Sequence, residues 1–400
     1  MVDPVAAYFA DLGAAVEQQW TKLGRRGPDL SAAAAAALEQ VPPAAHVGAM
    51  AVLRYAAGSP DLPSEQSKLS DVFGQPPLTM FSAPDFFVQA LTWVDGTTSI
   101  HQHGFDGAFA VAEGLSLHVP YGFDLAEMAA EDHLVAGELV MGEPEILRPG
   151  QVRRIDAGFG FIHALFHLER PTVTIVVRNS STSLPYPQYT YLRPGLGWDN
   201  LWSNRLVGRR LQAIGAMHRL DPPAAEEAAA DVVAAAPPWV AFLAVRDALS
   251  RSGWSDQVAD LCRALRPRVG AVGELLEPAL QAEVKQAKVL ARRKLLGERH
   301  HRTLLALLAN LPDEASVRAV IQALYPDQEP SRLVLEWVAE LSSPAYRRVS
   351  GLVLSEAQKA AVQGFLEGGA PSGDLDLRAT LGALAEWWGP PLVLPALLSN

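Results

Sequence analysis

This sequence predicts an α+β protein in which an all-β barrel stands between two helical regions. Helical spacing of apolar residues marks residues 4–56 and then stops. From residue 80 to 195, seven or more short apolar or alternating segments follow one another between turn signals, the pattern of a sandwich or barrel. From about residue 200 helical spacing returns and runs on to the end. Three domains are expected: 1–79, an N-terminal helical segment and loop; 80–195, the β-barrel; and 196–400, a helical C-terminal domain.

The first region carries apolar residues at helical spacing from Val5 through Leu12 and on through Val16, Trp20 and Leu23. Gly27-Pro28 breaks that helix, and Ser31 reads as the N-cap of a second. A Pro/Ser/Gly-rich loop covers 58–79. In the β region, Phe86 to Val94 reads as a strand closed by Asp95-Gly96. Thr98 to His103, Gly107 to Ala112 and Leu115 to Val119 follow, with Glu113-Gly114 as a hairpin turn. Leu134 to Pro144, Val152 to Ala157, Phe161 to Leu168 and Thr172 to Arg178 complete the set, with a turn at Pro149-Gly150. Beyond it, Ala224 to Ala236, a helix begun at Pro237-Pro238, Leu275 to Gly297, Arg302 to Asn310, Ser316 to Leu324, Ser331 to Leu341 and Ser355 to Leu366 read as helices. Their spacing is irregular and gives no solenoid repeat. This region is expected to pack on the barrel or to form a homodimer contact.

Composition narrows the function. Of 400 residues, 49% are hydrophobic, ample for a core. The formal net charge is −11, from 33 basic and 44 acidic residues, which argues against a nucleic-acid partner. The single cysteine, Cys262, excludes an intramolecular disulfide and a Cys-rich zinc site, and reads as a buried helical thiol. No stretch reaches the roughly 18 apolar residues of a membrane span. The N-terminus lacks the basic and apolar regions of a signal peptide. A soluble, cytoplasmic protein is expected, with no membrane partner.

Histidine placement is the functional signal. Six of the ten histidines lie between residues 101 and 167. His101 and His103 are spaced i, i+2, which puts both imidazoles on one face of a strand. Imidazole suits Fe, Cu, Ni and Zn, and one more histidine from a distant strand can complete a metal-binding face. His163 and His167 share parity on a later strand, so either can be that third ligand. His118 reads as structural, His133 as a solvated loop residue, and His300-His301 as a surface pair at a helix start. Asp106 is a candidate carboxylate ligand, three residues past His103.

Residues 84–180 resemble the cupin superfamily, whose fold is a double-stranded β-helix, or jelly-roll, barrel. Gly96, His101-Gln102-His103 and Gly114 follow its first motif. Pro149-Gly150 and Gly158-Phe159-Gly160-Phe161-Ile162-His163 follow its second in part. The glutamate position of the first motif, counted back from Gly114, falls on Gly107. Loss of that carboxylate resembles the three-histidine branch, of which thiol dioxygenases are members. The resemblance implies His101, His103 and His163 as ligands, to Fe(II) first, with Zn, Ni, Mn or Cu as alternatives.

The stretch Thr174-Ile175-Val176-Val177-Arg178 departs from thiol dioxygenases, which carry a Ser-x-His-x-Tyr triad there. An oxygenase acting with O2 on a small thiol, amino-acid-derived or specialised-metabolite substrate is therefore expected, rather than a plain cysteine dioxygenase. Candidate catalytic residues are His167 as acid/base group, Tyr189 in a segment after the last strand, and Arg178 as partner of a substrate carboxylate. Two alternatives stand: a non-oxidative metal cupin such as an isomerase or lyase, and a non-catalytic ligand-binding or interaction module. The helical domain is a candidate docking element for a carrier or peptide partner.

Overall fold

A computed structural model describes residues 3–67, 73–180 and 186–367. The end of the expected helical region, 368–400, and part of the 58–79 loop lie outside the described residues. Helix α1 (Pro4–Lys22) begins on Asp3, whose carboxylate accepts the Val5 amide at 2.8 Å. Pro4 takes the first helical position, where its missing N–H costs nothing. Helices α2 (Leu30–Gln40) and α3 (Ala49–Gly58) follow. Ser31 lies inside α2 instead of capping it. Asp29 holds the cap position, and the Ser31 hydroxyl donates to Asp156 at 2.8 Å.

The strands are β1 (Pro77–Ser82), β2 (Phe86–Trp93), β3 (Ile100–His103), β4 (Gly107–Glu113), β5 (Ser116–Ala129), β6 (Leu134–Met141), β7 (Glu145–Leu147), β8 (Val152–Ile155), β9 (Gly158–His167), β10 (Thr172–Asn179), β11 (Tyr189–Leu192) and β12 (Leu196–Asp199). Next come α4 (Arg205–Leu220), α5 (Pro222–Ala235), α6 (Pro238–Ser252), α7 (Asp256–Leu265), α8 (Val272–Leu295), α9 (Arg299–Asn310), α10 (Glu314–Leu324), α11 (Pro330–Ser342), α12 (Arg347–Ser350) and α13 (Glu356–Leu366). Among the described residues, no helix is long and apolar enough to cross a membrane.

Two compact units interleave along the chain. The first is built from the described parts of Met1–Pro120, Gly142–Tyr186 and Val289–Asn400. The second is Tyr121–Met141 with Pro187–Lys288.

In the first unit, β1-β2-β10-β4-β8 make an antiparallel sheet, and β3-β9-β5-β7 lie in a second. The result is a jelly-roll barrel with helices around it, an α+β fold. The central strands β2, β10 and β4 of the five-stranded sheet are buried on both faces, so they read as near-continuous apolar runs. Ala108, Ala110, Val88, Ala90, Val173, Ile175 and Val177 pack under α1 and α2 with Phe9, Leu12, Val16 and Leu38. The alternate residues Leu91, Trp93, Phe109, Val111 and Val176 form a separate interior core with Leu147, Ile155 and Leu165. Helices α9 to α11 belong to this unit. Arg148 donates to the Ala323 carbonyl at 3.2 Å, and Arg293 donates to the His167 carbonyl.

In the second unit, β6 pairs β12, which pairs β11, and Tyr121–Ala129 of β5 pairs β6. Helices α4 to α7 and the first half of α8 share one core, with Trp239, Phe242, Val245, Leu261 and Leu280 buried beside Leu134 and Leu196. Cys262 is buried there, and burial pushes its thiol up to about 12.

Three strand readings change. Strand β1 (Pro77–Ser82) begins inside the expected loop and runs into the expected β region; its opening proline is tolerated at the first residue of a strand. β5 runs on through Pro120 to Ala129, where its outer half alternates without burial. The tyrosine segment expected after the last strand is itself strand β11.

Candidate metal centre

The site grows out of the pairing of β3 with β9. His101 stands opposite His163 and Gln102 opposite Ile162. The register then slips, so that His103 faces Gly158. Gly158 has φ +74°, a left-handed conformation that glycine alone adopts without strain. The pairing of His101 with His163, and the face that His101 shares with His103, bring the three imidazoles together.

His101, His103 and His163 are all buried, each offers one ring nitrogen, and these nitrogens lie within 4.8 Å of one another. Ring centroids are 4.7 Å apart for His101–His103, 4.7 Å for His101–His163 and 5.1 Å for His103–His163. The Nδ1–H of His101 donates to the Ser99 carbonyl at 2.8 Å, which leaves the Nε2 lone pair for the cluster. Nδ1 of His103 and of His163 is buried with no hydrogen-bond partner. Burial lowers His101 to about 4, opposed in part by the Ser99 hydrogen bond. Burial also holds His103 and His163 well below the ordinary imidazole range, reinforced by their neighbours. Three neutral imidazoles aimed at one point form a donor set that fits a transition-metal dication.

The walls are aromatic. Phe73 lies 5.4 Å from His101, Phe105 4.8 Å from His103, and Phe161 4.5 Å from His163. The position of the motif's missing carboxylate is sterically closed. A Cβ on Gly107 would stand 2.1 Å from the Val177 carbonyl oxygen on the paired strand. Asp106 does not join the histidines; its carboxylate accepts the Ala157 amide at 3.0 Å.

The other expected residues fall in different places. His167 lies four residues beyond His163, about 13 Å along a strand. Its ring stacks on Trp93 at 4.3 Å, its Nδ1 is 3.0 Å from the Ser116 hydroxyl, and burial lowers it to about 3. His163, not His167, is therefore the histidine that meets His101 and His103. Arg178 does approach the cluster. Its guanidinium lies over Phe105 at 4.5 Å, and its charge acts on His103. Tyr189 belongs to the second unit, where its hydroxyl donates to the Asp132 carbonyl.

His118, which reads from the sequence as structural, stands beside the three-histidine cluster. It lies on β5 two residues from Ser116, and its ring centroid is 5.1 Å from that of His163. Its Nδ1–H donates to Glu145 at 2.8 Å, and its Nε2 is buried without a partner. Glu145 is held by Arg153 as well, and these hydrogen bonds, first from His118 and then from Arg153, lower it to about 2. The available signal was the alternation Ser116-Leu117-His118, which faces His118 the same way as Ser116. Two other histidine placements are also resolved. His133 lies in a turn as expected and is half-buried: its Nδ1 lies 3.3 Å from Asp199, and its ring packs 5.0 Å from Trp239. Of the pair at 300–301, His301 is fully buried.

No family profile and no curated protein matches this chain. Solved structures are similar to parts of it. A cupin-2 domain containing protein from Shewanella frigidimarina is 17% identical over 26% of this chain and 79% of that one, with a TM-score of 0.18. A chain from the structures of the DMSP lyases RdDddP and RnDddQII is 16% identical over 46% and 97%, with a TM-score of 0.26. Hydroquinone 1,2-dioxygenase from Sphingomonas sp. TTNP3 is 11% identical over 28% and 68%, with a TM-score of 0.20.

Proposed function

We propose that this chain is a metal-dependent enzyme of the cupin superfamily, a mononuclear non-heme iron oxygenase of the dioxygenase type. It acts with O2 on a small thiol, amino-acid-derived or specialised-metabolite substrate. The observation that carries this reading is the convergence of His101, His103 and His163 as buried, neutral donors. Three neutral ligands leave the charge of a dication uncompensated, which favours an anionic substrate at its open face. Iron, when bound, supplies the O2-activating redox chemistry.

The chain's own residues do the rest. Ser99 fixes the tautomer and orientation of His101. Phe73, Phe105 and Phe161 exclude water around the ligands. Arg178 beside Phe105 meets an anionic group of the substrate. His118, oriented by Glu145, holds or accepts a proton at Nε2 beside the centre.

That last pair favours a second reading, a non-oxidative lyase or isomerase in which Zn, Ni or Mn acts as Lewis acid and His118 transfers the proton. The test is metal analysis of untagged protein with His101→Ala and His163→Ala, followed by substrate screening with O2 uptake. About one iron per chain, lost in both variants, with turnover that stops under anaerobic conditions, is the expected result. Turnover that continues without O2 selects the second reading. Absence of any metal at the centre after Fe(II) or Zn(II) reconstitution overturns both.

A further inference from the structure

Adjacent residues on an α-helix point about 100° apart, so consecutive histidines ordinarily serve different neighbours. His300 and His301 at the start of α9 do not. The Nε2 atoms of both reach one atom, Oε2 of Glu340 on α11, at 2.7 and 2.9 Å. Their ring centroids lie 4.1 Å apart, and the three ligand atoms fall within 4.8 Å of one another. The rings are held from the side: His300 lies 5.9 Å from Trp337, and His301 meets the edge of Tyr346 at 4.7 Å.

We propose that His300, His301 and Glu340 form a second metal site, for a zinc-class dication, which clamps α9 to α11. Two imidazoles and one carboxylate are the donors such an ion takes, whereas calcium and magnesium call for oxygen alone. Tetrahedral zinc with bonds of about 2.0–2.1 Å holds its ligand atoms about 3.4 Å apart, so the two contacts need to open by only roughly half an ångström. Exposure supports both access and rigidity. The Glu340 side chain is 50% exposed and that of His300 32%, so an ion enters from solvent and water completes its shell. The His301 side chain is 0% exposed and fixes the geometry. Nδ1 of His301, buried without a hydrogen-bond partner, takes the ring proton when Nε2 binds the ion.

The test is zinc stoichiometry on the full chain, stripped with chelator and dialysed against zinc chloride. Two zinc ions per chain are expected in the unaltered protein, falling to one in His300→Ala and in Glu340→Ala. One is also expected in His101→Ala/His163→Ala, where zinc still raises the melting temperature; adding His300→Ala to that variant abolishes the rise. Should the double variant fail to fold, the fall from two to one in His300→Ala and Glu340→Ala decides alone. A count unchanged in both of these overturns the site, as does binding no zinc at all. A count of one that survives His101→Ala/His163→Ala and is lost in His300→Ala upholds this site and removes the three-histidine centre, so the two fail separately.

Discussion

Gly107 decides what kind of centre the barrel can hold. A side chain there drives into the Val177 carbonyl, so the all-nitrogen donor set follows from backbone packing and not only from a missing acid. Gly107→Glu is therefore expected to destabilise the protein by about 1–3 kcal/mol or more, the cost of overpacking. It is not expected to add a ligand. Urea denaturation and metal analysis check this; unaltered stability with a tighter metal would show that the strand makes room. His118 is the complementary case. Its Nε2 touches no hydrogen-bonding partner, so His118→Gln should leave metal content unchanged while turnover falls by about 10²–10⁴, the range for a general acid or base. Loss of the metal together with turnover would make His118 a support of the centre instead.

Among the elements, the β3–β9 ladder does the aligning, and it carries a bulge beside His103. Without the slip between Gln102 and His103, simple alternation would leave His103 opposite a residue of β9 other than Gly158. Gly158→Val places a β-branched residue at φ +74° and its Cβ 3.1 Å from the Tyr186 ring. We expect about 1–3 kcal/mol of destabilisation and weaker metal retention, read by denaturation and by iron content after chelator challenge. Wild-type retention would show that the slip does not set the cluster.

The same element shows how far sequence reasoning reaches. Period-two spacing put His101 and His103 on one face, and the strands buried on both sides were legible as apolar runs. Parity alone could not separate His163 from His167, because both face the same way. Distance along the strand separates them, and that requires the register of β9 against β3. β11 was hidden because Tyr189 to Leu192 is only four residues long, and the outer half of β5 because it buries too little to leave a pattern.

Over the whole molecule, acid sensitivity distinguishes interior from surface electrostatics. The formal charge is −11 at pH 7 and the isoelectric point is near 5.4. Lowering the pH from 7.5 towards 5.4 relieves net repulsion, so surface charge alone predicts a more stable protein. The buried histidines predict the opposite. His101 is lowered from 6.5 to about 4 and His167 from 6.5 to about 3, in both cases chiefly by burial. Between each folded value and 6.5 the unfolded chain binds more protons than the folded one, so stability falls as pH falls through that window. Glu145 extends the trend. Lowered from 4.5 to about 2 by His118 and Arg153, it contributes stability that is present above 4.5 and lost as pH falls towards 2. The chelated protein is therefore expected to need less urea at pH 5 than at pH 7.5, with a further drop below pH 4.5. His167→Asn should flatten part of the first step and leave the second. A urea midpoint that rises between pH 7.5 and 5, and rises equally in His167→Asn, would mean that His167 is hydrated in the folded state and would weaken the case for a dry interior around the three histidines.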